Sequence, residues 1–274
     1  MPMDPLRAPL NAESLRRLVL GPGSAWRRLD VVEETGSTNA DLVTRAVAGE
    51  EIDRAVLIAE HQTGGRGRNG RTWSAVSGAQ ILFSVGVASH AVPTDAWGWL
   101  PLAAGVAVAD AVSAVSGIDA RLKWPNDVLA DGGKLAGILA EAVPARASIV
   151  LGIGVNVTLR STELPDVELA SLLELGVEAP DREELLRQLL NDLGSRIAEW
   201  RQRGQVSPKL IADYRARSAT IGTHVCATLP GDRRIVGLAR DVDGQGRLII
   251  EVGGQPVVIS AGDVANLRSD HDLS

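Results

Sequence analysis

Hydrophobic and polar positions repeat with two different periods along this chain, and the changes of period mark its elements. Asn11 opens an amphipathic stretch that runs to Leu20 and stops at Gly21-Pro22, the pattern of a capped helix. Trp26 to Val32 reads as a strand. Ser37-Thr38-Asn39 then precede apolar residues at Ala40, Leu42, Val43, Ala46 and Val47, a helical spacing closed by Gly49. The apolar run Ala55 to Ala59 and the strand-like Gln80 to Val87 flank a glycine-rich polar stretch. Asp95 to Val115 is long, Ala-rich and apolar on most sides, which predicts a helix buried on more than one face with Trp97 and Trp99 in the core. Arg121 to Leu129 alternates as a strand interrupted at Pro125. Asp131-Gly132-Gly133 turns it into a second strand, Lys134 to Glu141, so the pair reads as a hairpin. Ile149 to Val157 is a further strand with two glycines, where a backbone or a ligand comes close. Asp181 to Trp200 and Pro208 to Arg217 are amphipathic helices.

From Ile221 the texture changes to short alternating segments with turns at Leu229-Pro230-Gly231-Asp232, Asp243-Gly244-Gln245-Gly246 and Gly253-Gly254. Four or five strands in about fifty residues predict a small β-barrel of SH3-like size. The expected organisation is an extension over 1–24, an α/β (α+β) domain over 25–220 and the barrel over 221–268. Nothing in the barrel is chemically pointed, and the extension is too short for an independent DNA-binding domain.

Composition narrows the class. At 274 residues, 45% hydrophobic and 23% charged, the chain is globular and long enough for a large core. No apolar run approaches a membrane span, and the start has Pro and acidic residues where a signal peptide has an apolar core, so a cytoplasmic protein is expected. The single cysteine, Cys226, excludes an internal disulfide and a multi-thiolate metal site, and its alternating context predicts a small buried hydrophobe. A formal charge of −6 and a pI near 5.3 argue against a general nucleic-acid surface. Against 25 arginines there are only three lysines, Lys123, Lys134 and Lys209. Two of the three lie close together, where a compact mobile charge serves and a planar guanidinium does not.

The candidate chemistry starts in the glycine-rich stretch. Four glycines between 64 and 70 allow close backbone approach, Arg66, Arg68 and Arg71 supply permanent positive charge, and no Asp or Glu occurs between His61 and Thr94. This positive island on an acidic protein suits a phosphate or carboxylate; the competing reading is a flexible loop with solvated arginines. It is neither a P-loop nor a dinucleotide fingerprint. Ser37, Thr38 and Asn39 are explained as helix caps, or as hydroxyls and N–H groups presented to a polar ligand.

Taken in order, Ser37-Thr38-Asn39, Gln62 with Gly65-Arg66-Gly67-Arg68-Asn69-Gly70-Arg71 and Trp73, Lys123-Trp124-Pro125-Asn126-Asp127, Gly133-Lys134-Leu135-Ala136-Gly137-Ile138-Leu139 and Gly152-Ile153-Gly154-Val155-Asn156-Val157 closely resemble the biotin protein ligase family, from about Trp26 to about Leu267. The resemblance implies a mixed-sheet catalytic domain of the class II synthetase-like, biotin/lipoate ligase type followed by an SH3-like barrel. It is to the monofunctional form, without a winged-helix repressor domain and without a DNA partner. It further implies that Ser37, Thr38, Asn39 and Gln62 line a biotin pocket, with Gly65, Arg66, Gly137 and Lys134 approaching biotin. Arg68, Arg71, Trp73, Lys123, Asn126, Lys134 and Asn156 would hold ATP or the adenylate. Relatives usually carry Arg or Lys where Asn69 stands, so this loop has one charge fewer.

The implied chemistry is attack of the biotin carboxylate on the α-phosphorus of ATP. Lys134 bridges the two anions, Arg68 assists, and Asp127, with Asn126, holds Mg2+ through oxygen or water. A Pro-Asn-Asp turn is the alternative account of Asn126 and Asp127. The arginine loop would shield biotinyl-5'-AMP from water until the acceptor lysine of a biotin carboxyl carrier domain, from an acyl-CoA or pyruvate carboxylase, arrives. The enzyme is expected as a monomer or weak homodimer. A lipoate-type ligase or octanoyl transferase is the neighbouring reading; a nucleic-acid-binding protein is the distant one.

Overall fold

The computed structural model describes residues 4–266 except 166, 230, 232 and 261. Its centre is a seven-stranded mixed sheet: β1 (Arg28–Thr35), β2 (Ala55–Gln62), β3 (Gln80–Ala88), β4 (Arg121–Lys123), β5 (Asp127–Ala130), β6 (Gly133–Val143) and β7 (Ser148–Asn156), in the order β1-β2-β3-β7-β6-β5-β4. Only β1 and β2 run parallel, joined across α2 (Thr38–Val47); the other pairings are antiparallel.

Helices cover the two faces unequally. On one face α3 (Trp99–Ser116), α4 (Arg182–Arg203), α1 (Ala12–Val19) and α5 (Pro208–Arg217) close a continuous core containing Trp99, Trp124, Phe83, Leu151 and Leu186. On the other face α2 packs a smaller cluster of Leu42, Ala46, Ile52, Leu57, Val143 and Val150. Beyond α2 that face is paved with small residues, because Gly137 pairs with Gly154 and Ser84 with Gly152 in register. This uncovered floor is where the cleft lies.

Several boundaries depart from the sequence expectation. The first strand begins at Arg28, because Trp26 is drawn into the core and its indole Nε1 donates to Leu190 O on α4. The helix expected from Asp95 is a 3-10 turn, Thr94–Ala96, followed by α3, and the junction at Gly98 lies against the backbone of Gln245 too closely for a Cβ. The stretch 94–116 is, by length and hydropathy, long and apolar enough to cross a membrane, contrary to the reading that no run is; two thirds of it is buried inside this fold, as a core helix. Arg121 to Leu129 is not one interrupted strand. Residues 124–126 reverse the chain, the Trp124-Pro125 peptide is cis, and β4 pairs with β5, so two successive hairpins replace one. Trp124 is the anchor of that turn: its backbone N donates to Thr220 Oγ1 and its indole to Gly246 O.

The C-terminal unit is a five-stranded antiparallel sheet of β8 (His224–Thr228), β9 (Arg234–Val242), β10 (Leu248–Val252), β11 (Gln255–Ile259) and β12 (Asp263–Asn266), matching the small β-unit expected. Cys226 is free and buried in it. Pro230 and Asp232 of the first expected turn, and residues 267–268 of the expected barrel, lie outside the described residues.

The N-terminal segment is tied to the seven-stranded sheet domain as a strap. Arg7 makes two bonds of 2.7 and 2.8 Å to the Glu163 carboxylate and holds Thr158, while Asp4 accepts from Arg160. Deeper, the buried pair Arg182–Glu60, 2.8 Å apart, satisfies Ala8 O and Leu10 N. A charge pair this dry persists because hydrogen bonds saturate it on every side.

Candidate active site

The cleft sits over the glycine floor, and its contents are ordered along β6. At one end lies a neutral hydrogen-bonding pocket. Ser37 caps α2, accepting from Ala40 N, and this places Thr38 and Asn39, both 3% exposed, against the sheet. Gln62, at the end of β2, accepts the Thr38 N–H at 2.8 Å; Thr38 Oγ1 lies 2.7 Å from Ser84 Oγ, and Ser84 donates to Asn39 Oδ1 at 2.6 Å. Asn39 Nδ2 reaches Glu141 on β6, which also receives Arg66 at 2.9 Å.

In the middle, the Trp73 indole lies on the sheet. A Cβ on Gly137 or Gly154 would come within 2.7 Å of its ring, so glycine at both positions is what lets the indole lie flat. Its Nε1 is buried without a partner among the described residues. Lys134 projects beside it, Nζ 5.5 Å from the ring centroid and 2.7 Å from Asp127 Oδ1.

At the far end stand the arginines of the glycine-rich loop, Arg68 and Arg71. The loop closes on itself through Gly67 N to Arg71 O and Trp73 N to Gly65 O, with Asn69 and Gly70 at positive φ forming its tip. A Cβ on Gly65 would run into Trp73 O. Arg68 donates to Asn126 Oδ1 at 3.2 Å, and Arg71 to Asp263 of β12 at 2.6 Å. Burial pushes the Arg68 guanidinium below its ordinary range, as does the neighbouring Arg71, against the pull of Asp263 and Asp127. Two crowded guanidinium groups, one of them short of water, make a strong site for an anion.

The chain is similar to known proteins over nearly its whole length. Residues 35–157 match the model of the Biotin/lipoate A/B protein ligase family and residues 220–265 that of the Biotin protein ligase C terminal domain. It is 58% identical to the biotin--[acetyl-CoA-carboxylase] ligase of Mycobacterium tuberculosis, covering 97% of this chain and 98% of the relative. The chain belongs to the biotin protein ligase family. Its similarity to the bifunctional ligase/repressor BirA of Escherichia coli is 33% identity over 80% of this chain and 67% of that protein. Among solved structures, the ligase of Aquifex aeolicus in complex with biotin and ATP matches with a TM-score of 0.76 at 25% identity, covering 89% of this chain and all of that one.

Within this ligase fold, most of the residues singled out from sequence share the one cleft: Ser37, Thr38, Asn39, Gln62, Arg66, Arg68, Arg71, Trp73, Lys123, Asn126, Asp127, Lys134 and Gly137 all line it. Gly65 supports it from behind Trp73. Asn156 is outside the lining. It is 3% exposed, and its amide is bound by Gln80 and donates to Lys134 O and Ala170 O. Asn126 is a structural link as well as a wall, since its Nδ2 donates to Ile138 O. Lys209, the third lysine, pairs with Asp213 on exposed surface. The reading of the C-terminal unit as chemically blank does not hold, because Asp263 and Val264 line the cleft. Sequence reasoning also missed Ser84, Glu141 and Gln80. The period-2 pattern of β6 and β3 carried the signal: Glu141 and Ser84 are polar residues on the α2 side of these strands, where Leu139 and Leu82 precede them.

Proposed function

We propose that this protein activates biotin with ATP and passes the biotinyl group to a lysine of a biotin carboxyl carrier domain. The observation that carries the reading is the order of groups along β6. A neutral pocket of hydroxyls and amides stands by Leu139 and Glu141, Trp73 covers Gly137, and Lys134 faces the Arg68 and Arg71 end. A ureido ring needs donors and acceptors without charge, a nucleotide needs guanidinium groups, and the carboxylate between them needs a cation.

In the first step a biotin carboxylate oxygen attacks the α-phosphorus, the bond to the bridging oxygen breaks, and pyrophosphate leaves. Lys134 lies where its ammonium lowers the repulsion between the two anions and stabilises charge on the phosphoryl oxygens. Arg68 and Arg71 hold the phosphates; Lys123 adds charge from the same wall. Trp73 offers its exposed ring face to the adenine. In the second step the acceptor amine attacks the carbonyl of biotinyl-5'-AMP, AMP leaves, and the amine gives up a proton to solvent or to Asp127.

Asp127 fits a magnesium ion of the kind that accompanies a nucleotide. Among the described residues no group of three potential ligands gathers, and one carboxylate with the nucleotide's own oxygens and water is the donor set such an ion takes. Bound there, magnesium would neutralise phosphate charge and favour departure of pyrophosphate. The reading includes no DNA partner, since the chain carries a formal charge of −6 and Arg66 and Arg71 are paired with Glu141 and Asp263. It places the protein in the cytoplasm, with its acceptor domain, and as a monomer or weak homodimer.

The test is mass spectrometry of a biotin carrier domain incubated with the protein, ATP and magnesium, with biotin, lipoate or octanoate in parallel. One biotinyl group on one lysine is expected. Transfer of lipoate or octanoate in place of biotin would refute the assignment.

A further inference from the structure

Glu141 stands behind the lining of the cleft, yet the hydrogen-bond chain of the neutral pocket ends on it. A carboxylate accepts and never donates. Asn39 must therefore turn its NH2 outward, to Glu141 Oε2 at 2.7 Å and to Leu139 O at 3.3 Å, which leaves Oδ1 facing Ser84. Ser84 spends its only hydrogen on that oxygen, at 2.6 Å. The 2.7 Å contact between Ser84 and Thr38 then needs the hydrogen of Thr38; Gln62 Oε1, 3.0 Å from the Thr38 hydroxyl, competes for that hydrogen but is already served by the Thr38 backbone N–H at 2.8 Å. The hydroxyl hydrogens of Thr38 and Ser84 and one amide hydrogen of Asn39 thus run in one direction, toward Glu141, and a lone pair on Thr38 Oγ1 is left for a ligand. Arg66, 2.9 Å from the same oxygen, holds the carboxylate in place.

We propose that Glu141 is a positioning and specificity-determining residue that fixes the polarity of this chain, so that the pocket accepts a ligand N–H at Thr38 and rejects an acceptor there. The proposal rests on the biotin-activation reading, in which that N–H belongs to the ureido ring. Burial makes the polarity matter, because an unmatched acceptor beside Thr38 and Asn39, each 3% exposed, and the fully buried Ser84 cannot turn to water.

The experiment compares biotin with its cyclic-carbamate analogues, in which a ring N–H is replaced by oxygen, in ATP–pyrophosphate exchange by wild type, E141A, E141Q and S84A. E141A is expected to raise the biotin KM about tenfold with kcat and the ATP KM within about twofold, and to narrow the preference for biotin over the carbamates by a similar factor. E141Q, which keeps an accepting oxygen, falls between; S84A, which cuts the chain midway, loses preference as E141A does. An independent arm needs no turnover: the Asn39 side-chain amide resonances, assigned through N39D, move in E141A and in S84A. Wild-type preference and an unmoved amide in E141A overturn the proposal, as does a loss confined to kcat. Should E141A not fold, E141Q and S84A decide the question by the same two readouts. Failure of the wild type to exchange with biotin would instead refute the assigned activity, while the amide arm still decides the polarity.

Discussion

Replacing Lys134 by alanine separates chemistry from folding. The Lys134 side chain is 34% exposed and makes two contacts, the 2.7 Å ion pair with Asp127 and the position 5.5 Å from the Trp73 centroid. An ion pair open to solvent contributes about 1 kcal/mol or less, and a partly exposed cation over an indole about 0.5–1 kcal/mol. For a chain of this length each kcal/mol moves the melting temperature by roughly 2–4 °C, so K134A should lower it by about 1–8 °C. Loss of a preorganised cation from developing phosphoryl charge costs roughly 10²–10³ in rate. The assay is biotin-dependent ATP–pyrophosphate exchange beside a thermal melt of the same preparation. K134R should recover little, since a planar fork does not occupy the space of an ammonium against Asp127. Exchange within about tenfold of wild type would refute the assignment of Lys134 to this step, and so would activity lost together with a collapsed melting transition.

Three further outcomes are expected from contacts remote from the reacting atoms. D263A removes the carboxylate that neutralises Arg71, so trypsin should cut faster within 66–71 in the free protein, and biotin with ATP should restore protection; unchanged cleavage would deny the C-terminal unit a hold on the loop. R182M strands Glu60, whose side chain is 10% exposed, and should cost about 3–5 kcal/mol, or roughly 6–20 °C, with E60L/R182M recovering much of it. Hydrogen bonds from Arg7 hold the Glu163 carboxyl below the ordinary value of 4.5, so its contribution is present above that value and disappears as pH falls through the depressed one. The melting-temperature difference between wild type and E163Q should accordingly shrink from pH 7 to about pH 3.

The parts of this fold legible in the sequence are those where local pattern and tertiary demand agree. The Asn11, Ser37, Asp181 and Ser207 caps each accept a backbone N–H at the helix start, and β7 and β6 run as their apolar periodicity requires. What escaped is set by long-range partners. The reversal at 124–126 depends on Trp124 finding Gly246 and Thr220 about a hundred residues or more downstream, and no local signal separates that turn from a strand broken by proline. Asn156 looks like a ligand residue because it is polar at the end of a glycine-bearing strand. In the fold, Lys134 O and Ala170 O take both of its amide hydrogens and Gln80 donates to its oxygen, so it acts on the cleft by fixing the backbone of Lys134.

The arginine loop shows the same limit in electrostatic form. Over the 32 residues from Gln62 to Pro93 the sequence is free of acid, and on that ground alone the loop is a naked positive island. In the fold Glu141 and Asp263, from strands distant in the chain, sit on Arg66 and Arg71, while Arg68, the most buried of the three, is bonded to Asn126 and Gly262 O and to no carboxylate among the described residues. An incoming nucleotide must therefore exchange with Asp263 at Arg71 but meets Arg68 in competition with amide oxygens. Charge-assisted bonds are roughly twice as strong as neutral ones, so the favourable surplus on binding is concentrated at Arg68, where burial also withholds water. Arg68→Gly should then speed release of biotinyl-5'-AMP more than Arg71→Gly does, measured by dissociation of the preformed complex. Equal release rates for the two variants would mean that the partners seen in the free protein do not set the phosphate grip.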